Sequence, residues 1–356
     1  MGKKIIVVGA GIIGASIAYH LAKNGADVIV IEKAHPASGA TSKSFAWINT
    51  SSAETHEYFN LRTASIAAYH DLEKELDDEG FQVRWGGSLE WELDETGLEQ
   101  RAETLSGYGC ELRALDSVEF ETLEPHVNPT GTRYIHAETE GAINAISATH
   151  ALLRAAAQHG ARLIYGCEVN GFKTTDTHVT GISTSLGEYL ADDIVIAAGV
   201  DAQSLLSKVD VHLPMDNNYG LNVRTKPVAA VTSRVILSPT GHFRQDLDGT
   251  IIIGDTFSGG TVEENPVVIA QRLIEQLKIE LPDVSGIELD HITLGNRPMP
   301  ADGFPAVGYV GGVEQLYLAS MHSGITLAPI IGKLVTEEML TGSRAELLSP
   351  YRPTRF

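Results

Sequence analysis

The chain has 356 residues, with 46 acidic and 26 basic side chains and a formal charge of -20 at pH 7. That length exceeds one ordinary hydrophobic core and points to two domains, while the acidic balance argues against nucleic-acid or anionic-membrane binding, which needs a basic surface. Two cysteines, Cys110 and Cys167, make no disulfide framework and no metal cluster, so the expectation is a metal-free cytoplasmic protein.

The N-terminus admits two readings. Lys3-Lys4 followed by an apolar run over 5–18 resembles a secretory signal, but cleavage there would destroy the motif that follows. Residues 5–8 are an apolar strand, and Gly9-Ala10-Gly11-Ile12-Ile13-Gly14 is a Gly-x-Gly-x-x-Gly turn. In such a turn the first glycine allows a tight bend, the second lets main chain approach a pyrophosphate, and the third lets helix and strand pack closely. A helix over 12–23 follows, with Ile13, Ile17 and Leu21 at helical spacing, stopped by Asn24-Gly25. A second apolar strand over 27–31 ends at Glu32, 18 residues beyond Gly14, near the roughly 20 expected of an acid that binds ribose hydroxyls. Strand, glycine turn, helix, strand and acid in this order predict a dinucleotide site.

After Lys33 comes a loop of small and polar residues over 37–44, long for a plain connector. Leu61, Ile66, Tyr69, Leu72 and Leu76 predict an amphipathic helix over 57–79. Residues 83–92 alternate like a strand interrupted by glycines, and 95–108 read as a helix, so 80–140 is an α+β insert. The parallel pattern resumes with a helix over 147–159, a short strand over 162–165 and a new strand beginning at Glu168-Val169. A further strand over 188–196 ends in Ala197-Ala198-Gly199. Alternating segments over 219–253 predict an antiparallel set, and 266–281 a helix. Gly295 to Gly308 contains Arg297-Pro298-Met299-Pro300-Ala301-Asp302-Gly303-Phe304-Pro305. A strand over 316–319 leads to His322-Ser323-Gly324-Ile325-Thr326-Leu327-Ala328-Pro329 and a last helix reaching Leu340.

The glycine fingerprint, the small-residue loop, Ala197-Ala198-Gly199, the Arg-Pro-x-Pro-x-Asp-Gly-x-Pro segment and Gly324-Ile325-Thr326-Leu327-Ala328-Pro329 together resemble the D-amino-acid oxidase/glycine oxidase/sarcosine oxidase superfamily of FAD-dependent oxidoreductases. The resemblance implies an α/β fold, α+β overall. A discontinuous Rossmann-like FAD-binding domain (1–80, 145–215 and 296–356) would be interleaved with an antiparallel-sheet substrate domain (81–144 and 216–295). It implies non-covalent FAD and hydride removal from the carbon of a small amine, an amino acid or N-substituted amino acid, with oxygen or another acceptor as oxidant. The alternatives are a 2-hydroxyacid oxidase or dehydrogenase of the same fold, the flavin subunit of a multi-subunit amine dehydrogenase, and an NAD-dependent dehydrogenase. Homo-oligomer and partner subunit both stay open.

The resemblance also carries residues across. Gly9, Gly11 and Gly14, with Ile12 and Ile13, would meet the pyrophosphate, and Glu32, beside Lys33, the adenosine ribose. Ser42, Lys43 and Ser44 would pass the flavin ring, and Val169 would meet adenine. Ala197, Ala198 and Gly199 would close the phosphate side, and Arg297, Ser323, Gly324, Ile325 and Thr326 would border the ring. A helix N-terminus there would stabilise charge on the reduced flavin, although Ser323 alone also reads as a simple helix cap.

Where glycine oxidases have arginine before Asn-Gly, this chain has His322. Histidine lacks the bidentate fork of a guanidinium, so Arg297 and Arg244 are candidates to hold a substrate carboxylate. His322 is a candidate to bind substrate or tune the flavin, and Lys43 to polarise the ring or bind oxygen. Tyr219, Trp47 and His242 are weaker pocket candidates, and Asp302 is expected to organise a turn.

Overall fold

The computed structural model describes residues 2–76, 80–254 and 264–356. Strand Lys4–Val8 lies between Asp27–Ile31 and Asp193–Ile196, parallel to both. Its unbroken apolar run reflects burial on two faces. Ile5 and Val7 point into a core shared with the helices, whereas Ile6 and Val8 point into a second core on the opposite face, as the two-residue period of a strand demands. The full six-stranded order is Ala306–Tyr309, Leu316–Ser320, Asp193–Ile196, Lys4–Val8, Asp27–Ile31, Arg162–Ile164. Ala306–Tyr309 alone runs antiparallel to its neighbour. Helices Ile12–Lys23, Ala145–Gln158 and Gly324–Thr341 cover one face, and the antiparallel strands Val169–Thr175, His178–Thr184 and Gly187–Leu190 cover the other.

Helix Ile12–Lys23 has the limits its sequence predicts. Helix His56–Glu75 starts on a Thr55 cap whose hydroxyl accepts from the Tyr58 N–H at 3.2 Å; residues 77–79 of its expected span lie outside the described residues. The strand expected over 188–196 is two strands in different sheets, Gly187–Leu190 and Asp193–Ile196. Asp192 breaks the run, because its carboxylate accepts from the Lys4 N–H at 2.8 Å.

The second large sheet has eight strands in the order Leu289–Pro300, Met215–Thr225, Ile251–Gly254, Gly241–Gln245, Val235–Ser238, Ser88–Glu90, Tyr134–Ala137, Leu112–Leu115. It is antiparallel except where Val235–Ser238 runs parallel to Ser88–Glu90. Helix Pro266–Glu280 packs Leu273 and Leu277 against Leu221, Val223, Phe243 and Ile253. Position 296, expected to open the last cofactor-binding segment, falls inside strand Leu289–Pro300, which stays paired with Met215–Thr225 as far as Pro300.

Between the sheets, Trp47–Ile48, Gly141–Ile143 and Val83–Arg84 form a three-stranded bridge. Beside it sits Glu140, fully buried. Its carboxylate accepts from Thr50 N–H at 2.8 Å, Ser51 N–H at 2.7 Å, Trp47 Nε1 at 2.9 Å and Ser88 Oγ at 2.6 Å. Burial pushes its pKa up, and the hydrogen bonds it accepts oppose that shift. Among the described residues no helix is long and apolar enough to cross a membrane.

Candidate active site

At the carboxyl ends of the parallel strands a cavity of about 640 Å³ runs past Gly9, Gly11, Ile12, Ile13, Glu32, Lys33, Val169, Ala197, Ala198 and Gly199 to His322, Gly324 and Ile325. Ligands of open parallel sheets bind at this end. The three glycines serve it differently. A Cβ on Gly9, whose φ is +106°, would sit 2.4 Å from the Ala197 carbonyl oxygen, and one on Gly14 would sit 2.0 Å from that of Gly9. These two are fixed by the chain's own packing. Gly14 does not line the cavity where the resemblance implies a pyrophosphate contact; it lets the helix seat against the turn, as its place in the motif predicts. On Gly11 a Cβ would meet only the Thr41 hydroxyl, at 3.2 Å. The chain's own packing presses less on that position than on the other two, and a ligand lying on the main chain there would require glycine.

The remaining features suit a dinucleotide. Helix Ile12–Lys23 opens on Gly11 with no side-chain cap and no acid in its first turn, which leaves its positive end for an anion. Thr41 Oγ1 accepts from the Ile12 N–H at 3.1 Å. The oxygens of Glu32 accept from the Ala10 and Ala34 N–H groups, each at 2.9 Å. This fixes the carboxylate at the cavity wall with lone pairs remaining for ribose hydroxyls. Lys33 and Asp201, both on the lining, form an ion pair at 2.6 Å. FAD therefore fits: Gly11 leaves a cradle, the helix end would face the phosphates and Glu32 would meet the sugar.

A second cavity, about 670 Å³, shares Ala40, Ser44, Pro298, His322 and Ile325 with the first and opens between the two large sheets. Its lining includes Lys43, Phe45, Trp47, Asn49, Arg62, Asn218, His242, Arg297, Ser323 and Thr326. Arg297 projects from strand Leu289–Pro300 across Gly220, and its Nη1 donates to Asn218 Oδ1 at 2.9 Å. Burial pulls its pKa down. Burial, then the guanidinium charges of Arg297 and Arg62, lower His322 to about 4. The side chain is exposed on the walls of both cavities, and the two guanidinium charges favour its neutral form. His242 is lowered to about 3 by burial and by Arg297; its ring packs edge-on to Phe45 with centroids 4.4 Å apart.

Several sequence candidates stand elsewhere. Arg244 lines neither cavity. Its guanidinium is ion-paired with Asp246 and donates to the carbonyls of Phe45 and Ile143, an arrangement that holds the sheet together. Ser42 turns away, its hydroxyl donating to the Gly39 carbonyl at 3.3 Å, while Ser44 lines both cavities. Tyr219 lines neither. Asp302 organises its turn as expected, accepting from the Phe304 N–H at 3.1 Å and pairing with Arg355 at 2.7 Å. Ser323 is no simple cap, because its side chain caps nothing; its hydroxyl accepts from Arg62 Nη2 at 2.7 Å. Arg62, Asn49 and Asn218 escaped the sequence reading. Only Arg62 left a trace there, as a cation within the apolar stripe of its helix.

Cofactor cavity and adjoining chamber define a flavoenzyme that oxidises a small molecule. The family model for FAD-dependent oxidoreductases of the DAO type matches residues 4–338, and the chain belongs to that family. It is an FAD-dependent oxidoreductase. The chain is 26% identical to the glycine oxidase of Pseudomonas putida, over 99% of each protein. It is also 26% identical to one of the subunits of the opine oxidase of Agrobacterium tumefaciens, over 98% of this chain and 96% of that one. Among solved structures, the L-proline dehydrogenase of P. horikoshii superposes with a TM-score of 0.89 at 23% identity, covering 100% of this chain and 98% of that one. The last likeness bears on the fold alone.

Proposed function

We propose that the protein oxidises the carbon–nitrogen bond of an amino acid or N-substituted amino acid. The observation that carries this reading is the Arg297 guanidinium in a chamber continuous with the ring end of the cofactor cavity. Non-covalently bound FAD supplies the hydride acceptor. The chain's own task is orientation, which converts an encounter into a near-attack geometry. Arg297, steadied by Asn218, holds the substrate carboxylate through its planar fork. His322 is neutral and accepts a hydrogen bond from the substrate amine. Lys43 adds positive charge at the ring end, and the N-terminus of helix Gly324–Thr341 does the same along its axis. The glycine oxidase and opine oxidase likenesses support the same class of substrate. Because the opine oxidase relative is one subunit of its enzyme, that likeness also favours a second reading, in which the chain is the flavin component of a larger assembly; co-purification from the native host tests it.

The principal test is anaerobic flavin bleaching by D- and L-amino acids, N-alkyl amino acids and 2-hydroxy acids, followed by air. Bleaching by amines is expected. In Arg297→Met the KM should rise about a hundredfold, the equivalent of losing a charged hydrogen-bond pair, with kcat changed far less. Bleaching by hydroxy acids alone would replace this reading with carbon–oxygen oxidation.

A further inference from the structure

Arg62 projects from helix His56–Glu75 and is 3% exposed. Its Nη1 donates to Asn49 Oδ1 at 2.7 Å and to the Asn49 carbonyl at 3.3 Å, and its Nη2 donates to Ser323 Oγ at 2.7 Å. The guanidinium lies 4.4 Å from the Tyr58 ring centroid, and Nε–H has no acceptor among the described residues. All these partners are neutral. The other fully buried arginine, Arg244, has Asp246, and the partly buried Arg234 and Arg352 have Glu124 and Glu338. A cation withdrawn from water without an anion costs several kcal/mol, so Arg62 stands ready for an anion supplied from outside.

Arg62 and Arg297 line the same chamber, and both lie near enough to His322 to suppress its protonation. Of the acids on that lining, Glu90 is engaged by Arg101, and neither Glu54 nor Glu92 is within ion-pair distance of Arg62. We infer that Arg62 holds a second substrate carboxylate, so that the substrate is a secondary amine carrying two carboxylates, one on Arg297 and one on Arg62. This rests on the amine-oxidation reading above.

The test uses the FAD-loaded enzyme, titrated anaerobically with iminodiacetate and with N-ethylglycine, which has a methyl group in place of one carboxylate. Flavin spectral perturbation gives Kd, and bleaching gives the rate. Iminodiacetate should bind at least about tenfold more tightly. Arg62→Gln should erase that advantage while leaving N-ethylglycine within about twofold, and Arg62→Lys should restore part of it. Equal affinities in the wild type, or equal weakening of both ligands by Arg62→Gln, would overturn the inference and make Arg62 a brace for Asn49 and Ser323. If Arg62→Gln loses its flavin, the wild-type comparison decides alone. Bleaching by N-ethylglycine with no preference for iminodiacetate removes this inference and leaves amine oxidation standing; bleaching by no amine at all removes both.

Discussion

The two cavities meet at Ser44, Pro298 and His322 yet are built from different materials. The cofactor cavity is mostly main chain and small side chains at the ends of parallel strands, with Glu32 and the Lys33–Asp201 pair among its charges. The chamber beyond it takes its polar groups from distant segments: Lys43 from a loop, Arg62 from a helix, Asn218 and Arg297 from adjacent strands, and His322 from the last crossover. A ligand common to many enzymes can be held by a local turn. A particular substrate needs charges gathered from across the chain, and those are free to differ between relatives of one fold.

The largest expected effect separates the two regions outright. Gly11→Val should abolish FAD retention, by at least about a thousandfold in Kd, because the new side chain fills the space where main chain meets ligand. The apoprotein should still fold, since the added Cβ meets only the Thr41 hydroxyl. Flavin absorbance after desalting, beside the apoprotein's urea midpoint, checks this; a yellow variant would break the contrast.

Arg244→Met should act on stability and not on catalysis. It leaves the buried Asp246 with the longer Arg224 pair at 3.6 Å and should cost about 3 kcal/mol by urea unfolding, with KM of the folded fraction within about twofold of wild type. A selective rise in KM would return Arg244 to the chamber.

The smallest effect is shared by both regions. His20, buried beneath the cofactor unit, is lowered to about 4, and His242 in the chamber to about 3, each chiefly by burial. An unfolded histidine, near 6.5, takes up a proton that the folded one refuses, so stability is full above about pH 6.5 and falls as pH drops. Each residue should account for about 1 kcal/mol of loss between pH 7 and 5.5, and His20→Gln should remove one share of the slope in urea titrations.

The cofactor half was legible because its signals are local. A glycine turn, an apolar strand and an acid at the right distance lie within 32 residues, and the helix at Ile12 follows from periodicity. The motif also separated Gly14, for packing, from Gly11, for close approach of a ligand, and the atoms opposite each Cα agree with that division. Arg244 was misplaced because a lone arginine on a strand says nothing of its neighbours. Asp246, two residues along and so on the same face, was the clue to an ion pair. Arg62 stands among Tyr58, Leu61, Ser65, Ile66 and Tyr69 on the buried stripe of its helix, where a charge is out of place unless something meets it.

Glu140 gives the architecture a mechanical consequence. The chain passes repeatedly between the two large sheets, and one carboxylate clasps the 47–51 segment to Ser88. Prising the halves apart would strip a buried carboxyl group of four hydrogen-bond donors at once. The substrate half is therefore no detachable module, and both halves should melt in a single transition.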